Sequence, residues 1–214
     1  MKKLSGFLIV VLFAMLTVAA WGYANRPTSE PALPRVIHGF AFQPYQKDQD
    51  AIAGEDPTPA QIDADLKLLA GTTRAVRTYS SIGTLGEIPA LARKHGLKVM
   101  LGSWIDSDRE RNDREVEAAI RLANTNRNVT RILIGNEVVL RGDLPVEDLI
   151  AHLDRVRAAT KQPVSTAEPW HVWIKHPELV AHVDFITVHM LPYWEGVEVE
   201  AAVGYVVAKL GEVR

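Results

Sequence analysis

The 214-residue sequence contains no cysteine, so it has no disulfide framework, no thiolate metal site and no cysteine nucleophile. It also lacks a basic stripe: 24 lysines and arginines face 26 acidic residues, which gives no reason to expect a nucleic-acid partner. The histidines do not show the spacing of a zinc motif, and no metal site is expected. These absences leave a chain of ordinary globular composition, 47% hydrophobic and long enough for one sizeable core.

The N-terminus carries a long hydrophobic run. Lys2 and Lys3 precede an uncharged stretch from Leu4 to Ala24 that includes small residues near its end. A basic start, an apolar run and small residues are typical of a secretory signal, and a stretch of about 20 apolar residues also spans a bilayer. We therefore predict that residues 1–24 are a signal peptide or an uncleaved signal anchor. The protein is expected to be exported, either periplasmic or extracellular, or held at the cell membrane by this segment alone.

Beyond this segment, residues 25–34 are predicted to be a proline-rich linker and residues 35–214 a globular domain. Six strand patterns, most of them followed by a helical pattern, are predicted at 36–42, 75–79, 97–102, 129–137, 163–166 and 183–188. This alternation predicts an α/β fold, and units of about 30 residues match a (β/α)8 TIM barrel with about six of its eight units present. An open doubly wound sheet is the alternative, although the turn after the first strand lacks that fold's glycine-rich phosphate pattern.

Helix starts are predicted from capping boxes, in which a threonine and a residue three positions later cap each other's backbone. Thr58 with Gln61 and Thr84 with Glu87 have this spacing. A third helix is predicted to begin at Glu115, so the polar run at residues 106–111 is expected to be a solvated loop.

Polar and aromatic side chains are concentrated where the predicted strands end. Because the carboxyl ends of parallel strands meet at one rim of a barrel, these side chains are expected to line one cleft. Aromatic rings combined with carboxylates and amides are well suited to hold sugars, whose faces stack and whose rims form hydrogen bonds. The group includes Arg77, Tyr79, Trp104, Asn136, Glu137, Glu168, Trp170, His189 and Tyr193.

Glycoside cleavage in its usual form needs two carboxylates, about 5–5.5 Å apart in retaining enzymes. Glu137, at the end of the fourth strand, is the candidate general acid/base, and Asn136 is a candidate for binding a substrate hydroxyl. Glu168 is a candidate second carboxylate, with a sugar-binding or structural role as the alternative. The sequence leaves three roles open for His189: metal ligand, base or hydrogen-bonding group. It leaves two roles open for Arg77: its guanidinium either orients a carboxylate through two parallel hydrogen bonds or forms a salt bridge within the barrel wall.

Four segments at the strand ends carry a resemblance to a known family: Arg77-Thr78-Tyr79-Ser80, Gly135-Asn136-Glu137, Ala167-Glu168-Pro169-Trp170 and Pro192-Tyr193-Trp194. Together they resemble glycoside hydrolase family 17, in its bacterial branch of β-1,3-glucanases and related glucan transglycosylases. The resemblance implies that Glu137 is the general acid/base and that Asn136 contacts the sugar at the cleavage subsite. It implies that Arg77 and Tyr79 support the nucleophile or line that subsite, with Trp104, His189 and Tyr193 as further lining.

The function implied by this resemblance is that of a retaining glycoside hydrolase acting on β-1,3-glucan, either polysaccharide or oligosaccharide, without a cofactor. The alternatives are a β-glucan transglycosylase or glucan synthase-associated domain, and a noncatalytic glucan-binding envelope protein. The family's nucleophilic glutamate follows the seventh strand, whereas this sequence ends in the helix before it. The sequence is therefore expected to be a family member truncated before its nucleophile, inactive by itself.

Overall fold

The computed structural model describes residues 2–26, 36–51 and 53–214, which leaves most of the predicted linker, residues 27–34, outside the described residues. The chain divides into two compact units, Met1–Pro34 and Arg35–Arg214. The first contains helix α1, Lys2–Ala24. Its stretch Gly6–Ala24 is long and apolar enough to cross a membrane, and 0% of it is buried. Such a helix is consistent with either a signal sequence or an anchor.

The second unit is built on six parallel strands in one sheet. They are β1 (Phe40–Ala41), β2 (Ala75–Arg77), β3 (Lys98–Ser103), β4 (Val129–Asn136), β5 (Val164–Pro169) and β6 (Thr187–His189). Each strand pairs with its neighbour in sequence, so the sheet has no point at which the strand order reverses. A doubly wound sheet requires such a point. The strands curl into a half-barrel, which confirms the predicted α/β barrel architecture.

Helices connect the strands in the order expected of parallel β/α units. They are α2 (Pro59–Leu69), α3 (Ile88–Lys94), α4 (Arg109–Thr125), α5 (Val138–Arg141), α6 (Val146–Ala159), α7 (Trp170–Lys175) and α8 (Val199–Val213). The sequence did not predict α5 and α7, which have 4 and 6 residues and begin directly where β4 and β5 end. Helices this short present too little periodicity to be recognised from a pattern.

The core lies between the sheet and the helices that cover it. Ile132 and Ile134 of β4 pack into the same buried cluster as Leu149 and Leu153 of α6, and all four are 0% exposed. Each such side chain contributes about 1.5–3 kcal/mol when it is fully buried. A strand of this kind is covered on both faces, which explains why β4 appears in the sequence as an uninterrupted apolar run.

The first and last strands are shorter than predicted. β1 has 2 residues and β6 has 3. Each lies at an edge of the described sheet and pairs with a single neighbour. His189 therefore lies within β6, not in the loop after it, and it pairs with Pro169 of β5.

One of the two predicted capping boxes is confirmed and the other is wrong. Thr58 accepts a hydrogen bond from the Gln61 backbone N–H, and the Gln61 side chain accepts one from the Thr58 N–H, at the start of α2. Thr84, in contrast, lies inside a 3-10 turn, Gly83–Glu87, and α3 has no side-chain cap. The Thr84 hydroxyl is buried without a hydrogen-bond partner among the described residues.

The two threonines make a matched pair for a stability measurement. Thr58→Ala should lower the free energy of unfolding by about 1 kcal/mol, because it leaves amides of the first turn of α2 uncapped. Thr84→Val should be neutral or slightly stabilising, because it removes a buried hydroxyl that makes no hydrogen bond. Urea denaturation of both variants measures the difference. A larger loss in Thr84→Val than in Thr58→Ala would contradict the capping assignment.

Candidate active site

Four polar side chains from the ends of three alternate strands form one hydrogen-bonded cluster. Arg77 of β2 donates from Nη2 to Asn136 Oδ1 of β4 at 2.6 Å, and its Nη1 lies 3.2 Å from His189 Nε2 of β6. His189 Nδ1 lies 2.6 Å from Oε1 of Glu137, the residue after β4. Alternate strands of a barrel point side chains into the same layer of its interior. We call Arg77, Asn136, Glu137 and His189 the strand-end cluster.

The donors in this cluster determine where the His189 proton lies. Arginine has only donors, so His189 Nε2 must accept from Arg77 and the ring proton sits on Nδ1. From there it is donated to Glu137 Oε1. An imidazolium would place two donors face to face, so the geometry fits a neutral histidine. The Glu137 side chain keeps 24% of its surface exposed, and among the described residues no donor reaches its second oxygen, Oε2.

The Arg77 guanidinium is held on several sides. Burial lowers its pKa, while the nearby Tyr79 and Glu137 act in the opposite direction. Its central carbon lies 4.7 Å from the centroid of the Tyr79 ring, a cation–π distance. The structure thus places the Tyr79 ring in contact with the arginine of the strand-end cluster.

The backbone turns sharply at Glu137. This residue has φ 57° and ψ 32°, the left-handed conformation, and it is the one non-glycine residue with positive φ in the described chain. For a residue with a side chain this conformation costs roughly 1–2 kcal/mol. Gly135, two residues before Glu137, has φ 81°, and a Cβ there would lie 2.4 Å from a methyl group of Val138. The turn ends β4, begins α5 and directs the Glu137 carboxyl toward His189.

Glu168 on β5 lies behind this turn, fully buried at 0% exposed. Its Oε1 accepts from the Val139 N–H at 2.9 Å and its Oε2 from the Leu140 N–H at 3.3 Å. Burial raises its pKa, and the two backbone hydrogen bonds partly oppose that effect. Both oxygens are occupied by α5 and neither is exposed, so the contacts seen in the structure are those of a structural carboxylate.

Trp104, at the end of β3, is linked to the cluster through Arg141 of α5. The Arg141 guanidinium lies 4.6 Å from the centroid of the Trp104 rings. Arg141 also donates to the backbone oxygens of Ile105 and Asn136. Arg141 therefore connects the predicted lining residue Trp104 to the turn that contains Glu137.

The polar run at residues 106–111 is a solvated loop only in part: Ser107 and Asp108 are exposed loop residues, whereas residues 109–111 form the first turn of α4, which corrects the rest of the prediction. Asp108 is the N-cap of α4 and accepts from the Arg111 N–H at 3.0 Å. The helix thus begins at Arg109, six residues earlier than expected. The Asp106 side chain is only 13% exposed, pairs with Arg111 and accepts from the Trp104 indole at 3.0 Å. Asp108 is a standard N-cap residue, and the many charges after it obscured that signal.

The remaining two predicted aromatics lie beyond the cluster. Trp170 begins α7, donates to Glu195 at 3.0 Å and has the Lys209 ammonium 3.9 Å from its ring centroid. Tyr193 is 82% exposed and contacts Trp194 edge to face, with ring centroids 5.4 Å apart. Within the described part of the chain, neither Trp170 nor Tyr193 is hydrogen-bonded to the strand-end cluster.

The sequence missed one buried carboxylate near the site. Glu115 of α4 is 1% exposed and accepts from the Ser80 hydroxyl at 2.5 Å and the Ser81 N–H at 2.7 Å. These serines follow Tyr79, so Glu115 ties α4 to the chain that leaves β2. Burial raises the pKa of Glu115 to about 7. A glutamate in a helix rich in charged residues carries no local signal that it is buried.

Comparison with known proteins places these features in a family context. The BtgE/BtgC glycoside hydrolase domain matches residues 39–214. The chain is 33% identical over 147 residues to a glucan 1,3-beta-glucosidase of Schizosaccharomyces pombe, covering 62% of this chain and 46% of that protein. It is 25% identical over 207 residues to an Aspergillus flavus protein named "Probable glucan endo-1,3-beta-glucosidase btgC", covering 86% of this chain and 30% of that one.

Solved structures show the same fold. An active-site mutant of the Rhizomucor miehei beta-1,3-glucanosyltransferase in complex with laminaritriose matches with a TM-score of 0.70 and 26% identity, covering 82% of this chain and 65% of that one. The R. miehei enzyme is described as a member of glycoside hydrolase family 17. The chain spans less than half the length of the two curated relatives. Those relatives are fungal, so the bacterial branch stays a prediction.

Proposed function

Because the chain belongs to the BtgE/BtgC glycoside hydrolase domain family, we propose that its strand-end cluster is the acid/base half of a site that cleaves β-1,3-glucan. The observation that carries the proposal is the state of Glu137. One of its oxygens is held by His189, and the other accepts no hydrogen bond among the described residues. A carboxyl group oriented in this way at the end of a barrel strand can transfer a proton to and from a substrate.

Glu137 acts first as an acid and then as a base in this proposal. Its protonated Oε2 gives a proton to the glycosidic oxygen as the bond to the leaving sugar breaks. The carboxylate then takes a proton from the incoming water or sugar hydroxyl. The hydrogen bond from His189 Nδ1 restricts rotation of the carboxyl group and keeps Oε2 directed at the substrate.

Asn136 and Arg77 support the substrate side of the same reaction. Arg77 donates to Asn136 Oδ1, which leaves the Asn136 amide N–H groups as donors to a sugar hydroxyl. Arg77 also bridges to His189, so one guanidinium orients both neighbours of Glu137. We propose that Tyr79 lines the same subsite and that Trp104, Trp170 and Tyr193 provide stacking surfaces further along the cleft.

Retention of configuration requires a nucleophilic carboxylate about 5–5.5 Å from the acid/base. No second carboxylate is hydrogen-bonded into the strand-end cluster in the part of the chain that the structure describes, and both Glu168 oxygens are engaged by α5. We therefore propose that the nucleophile comes from outside this cluster. We also propose that residues 35–214 alone bind glucan without cleaving it, which keeps noncatalytic glucan binding as the second candidate function.

The N-terminal helix completes the proposal. We propose that α1 directs the following domain across a membrane, as a signal peptide or an anchor, because Gly6–Ala24 is apolar, exposed and long enough to span one. Export would bring the cleft to glucans outside the cytoplasm.

Substrate linkage is the first experimental test. The protein expressed from its complete reading frame should cleave laminari-oligosaccharides and leave β-1,4-linked oligosaccharides of the same length intact. Products longer than the substrate would identify glucanosyl transfer, the reaction named for the R. miehei relative, and products that are only shorter would identify hydrolysis. Turnover of the β-1,4 series with no action on the β-1,3 series would refute the proposed substrate class.

A further inference from the structure

The first backbone amides of α5 are capped in an unusual way. N–H groups in the first turn of a helix have no partner within the helix, and the side chain of the N-cap residue commonly accepts from them. The N-cap of α5 is Glu137, which makes no side-chain capping bond because its carboxyl group binds His189. Glu168 accepts from the amides of Val139 and Leu140 instead. The cap is thus supplied by the neighbouring strand β5.

The same strand holds the strained residue itself. The Glu137 N–H donates to the Ala167 oxygen at 2.7 Å, and the Glu137 oxygen accepts from the Arg141 N–H at 2.8 Å. Ala167 directly precedes Glu168 in β5. Consecutive residues of this strand therefore accept hydrogen bonds from the Glu137 N–H and from the Val139 and Leu140 amides. A left-handed non-glycine residue persists only where its surroundings hold it on several sides. Glu168 is one of these restraints, and it is completely buried.

We propose that Glu168 is a positioning residue, which keeps the Glu137 carboxyl directed at the scissile bond by capping α5 in place of the Glu137 side chain. The inference rests on the proposed function of Glu137 as the acid/base. Without Glu168, α5 would need another cap, and the side chain of its N-cap residue, Glu137, is the acceptor that helices commonly use. Its side chain would then turn from His189 to the helix, and proton transfer to the substrate would fail while the sugar subsites stayed in place.

The test uses the variant Glu168→Gln in the protein expressed from its complete reading frame. Glutamine has the same shape but offers one oxygen, so it caps only one of the two amides and presents an N–H group to the other. Thr166→Val is the matched control: Thr166 lies on the same strand, is 0% exposed, and its hydroxyl has no partner among the described residues. Thr166→Val alters a side chain that is as buried as Glu168, but it leaves the hydrogen bonds from the Val139 and Leu140 amides to Glu168 unchanged.

The decisive measurement is how the loss of kcat/KM in Glu168→Gln depends on the leaving group of the substrate. For Glu168→Gln, kcat/KM on a laminari-oligosaccharide should fall by about 10–100-fold, because its leaving sugar needs a proton. On a dinitrophenyl laminari-oligosaccharide, whose leaving group departs without a proton, kcat/KM should fall by less than about threefold, because proton donation no longer contributes. Thr166→Val should leave both values near those of the parent protein.

Equal losses on both substrates would show a general structural defect and overturn the inference, and so would an unchanged rate on the oligosaccharide. Hydrogen exchange in the parent protein gives a second measurement that does not depend on a variant folding. The Val139 and Leu140 amides should be protected, and exchange as fast as that of exposed amides would refute the cap. If Glu137→Gln abolishes turnover while Glu168→Gln does not lower it, the positioning role fails alone. If Glu137→Gln retains full turnover, the proposed function fails.

Discussion

Replacing Glu137 with glutamine in the protein expressed from its complete reading frame should lower the rate of β-1,3-glucan cleavage by about 10²–10⁴-fold. An amide of the same shape can still accept from His189 Nδ1, but it cannot carry the proton that the glycosidic oxygen requires. Glucan affinity should change little, because Arg77, Asn136 and the surrounding aromatic residues stay in place. Cleavage of a laminari-oligosaccharide and its equilibrium binding measure the two effects separately.

The matched control for this substitution is Glu147→Gln. Glu147 lies exposed in the first turn of α6, so the same chemical change there should leave the rate within about twofold, since it disturbs only a weak helix-dipole interaction. A Glu137→Gln protein that cleaves glucan at a near-normal rate would remove Glu137 from the reaction. A loss of binding as large as the loss of rate would instead indicate that the cluster had collapsed.

The contribution of Glu115 to the free energy of unfolding should be lost as the pH rises from 4.5 to about 7, and Glu115→Gln should remove that loss. Burial raises the pKa of Glu115 from 4.5 to about 7, so between these values the folded state keeps a proton that the unfolded state releases. Stability contributed by a raised pKa is present at low pH and is lost as the pH rises through the folded-state value. The full difference corresponds to about 3 kcal/mol.

Several groups around Glu115 set the size of this effect. The Ser80 hydroxyl, the Ser81 and Trp104 backbone and the Arg111 charge all lower its pKa, against the larger effect of burial. Because other groups also titrate, the quantity to compare is the difference between variant and parent in urea denaturation at each pH. That difference should favour Glu115→Gln increasingly up to about pH 7 and then level off. Parallel stability curves would show that Glu115 has an ordinary pKa.

The architecture and the position of Glu137 followed from the sequence because each depends on local patterns. Ile132 and Ile134 belong to an apolar run because β4 is covered on both faces, and repeated strand and helix patterns leave few topologies available. The Thr58 capping box is confirmed because both its partners lie within four residues. Helix α1 was predictable because an exposed apolar stretch of that length has few alternatives in water.

The tertiary structure decided which side chains meet. Arg77 and His189 are 112 residues apart in sequence, and Glu137 and His189 are 52 apart, so no local pattern records their contacts. The burial of Glu115, the capping of α5 by Glu168 and the left-handed turn at Glu137 likewise depend on neighbouring strands. The sequence by itself determined the number and order of the barrel strands, because hydrophobic periodicity is a property of neighbours in the chain. Hydrogen bonds and burial are properties of neighbours in space, and only the folded barrel brings those together.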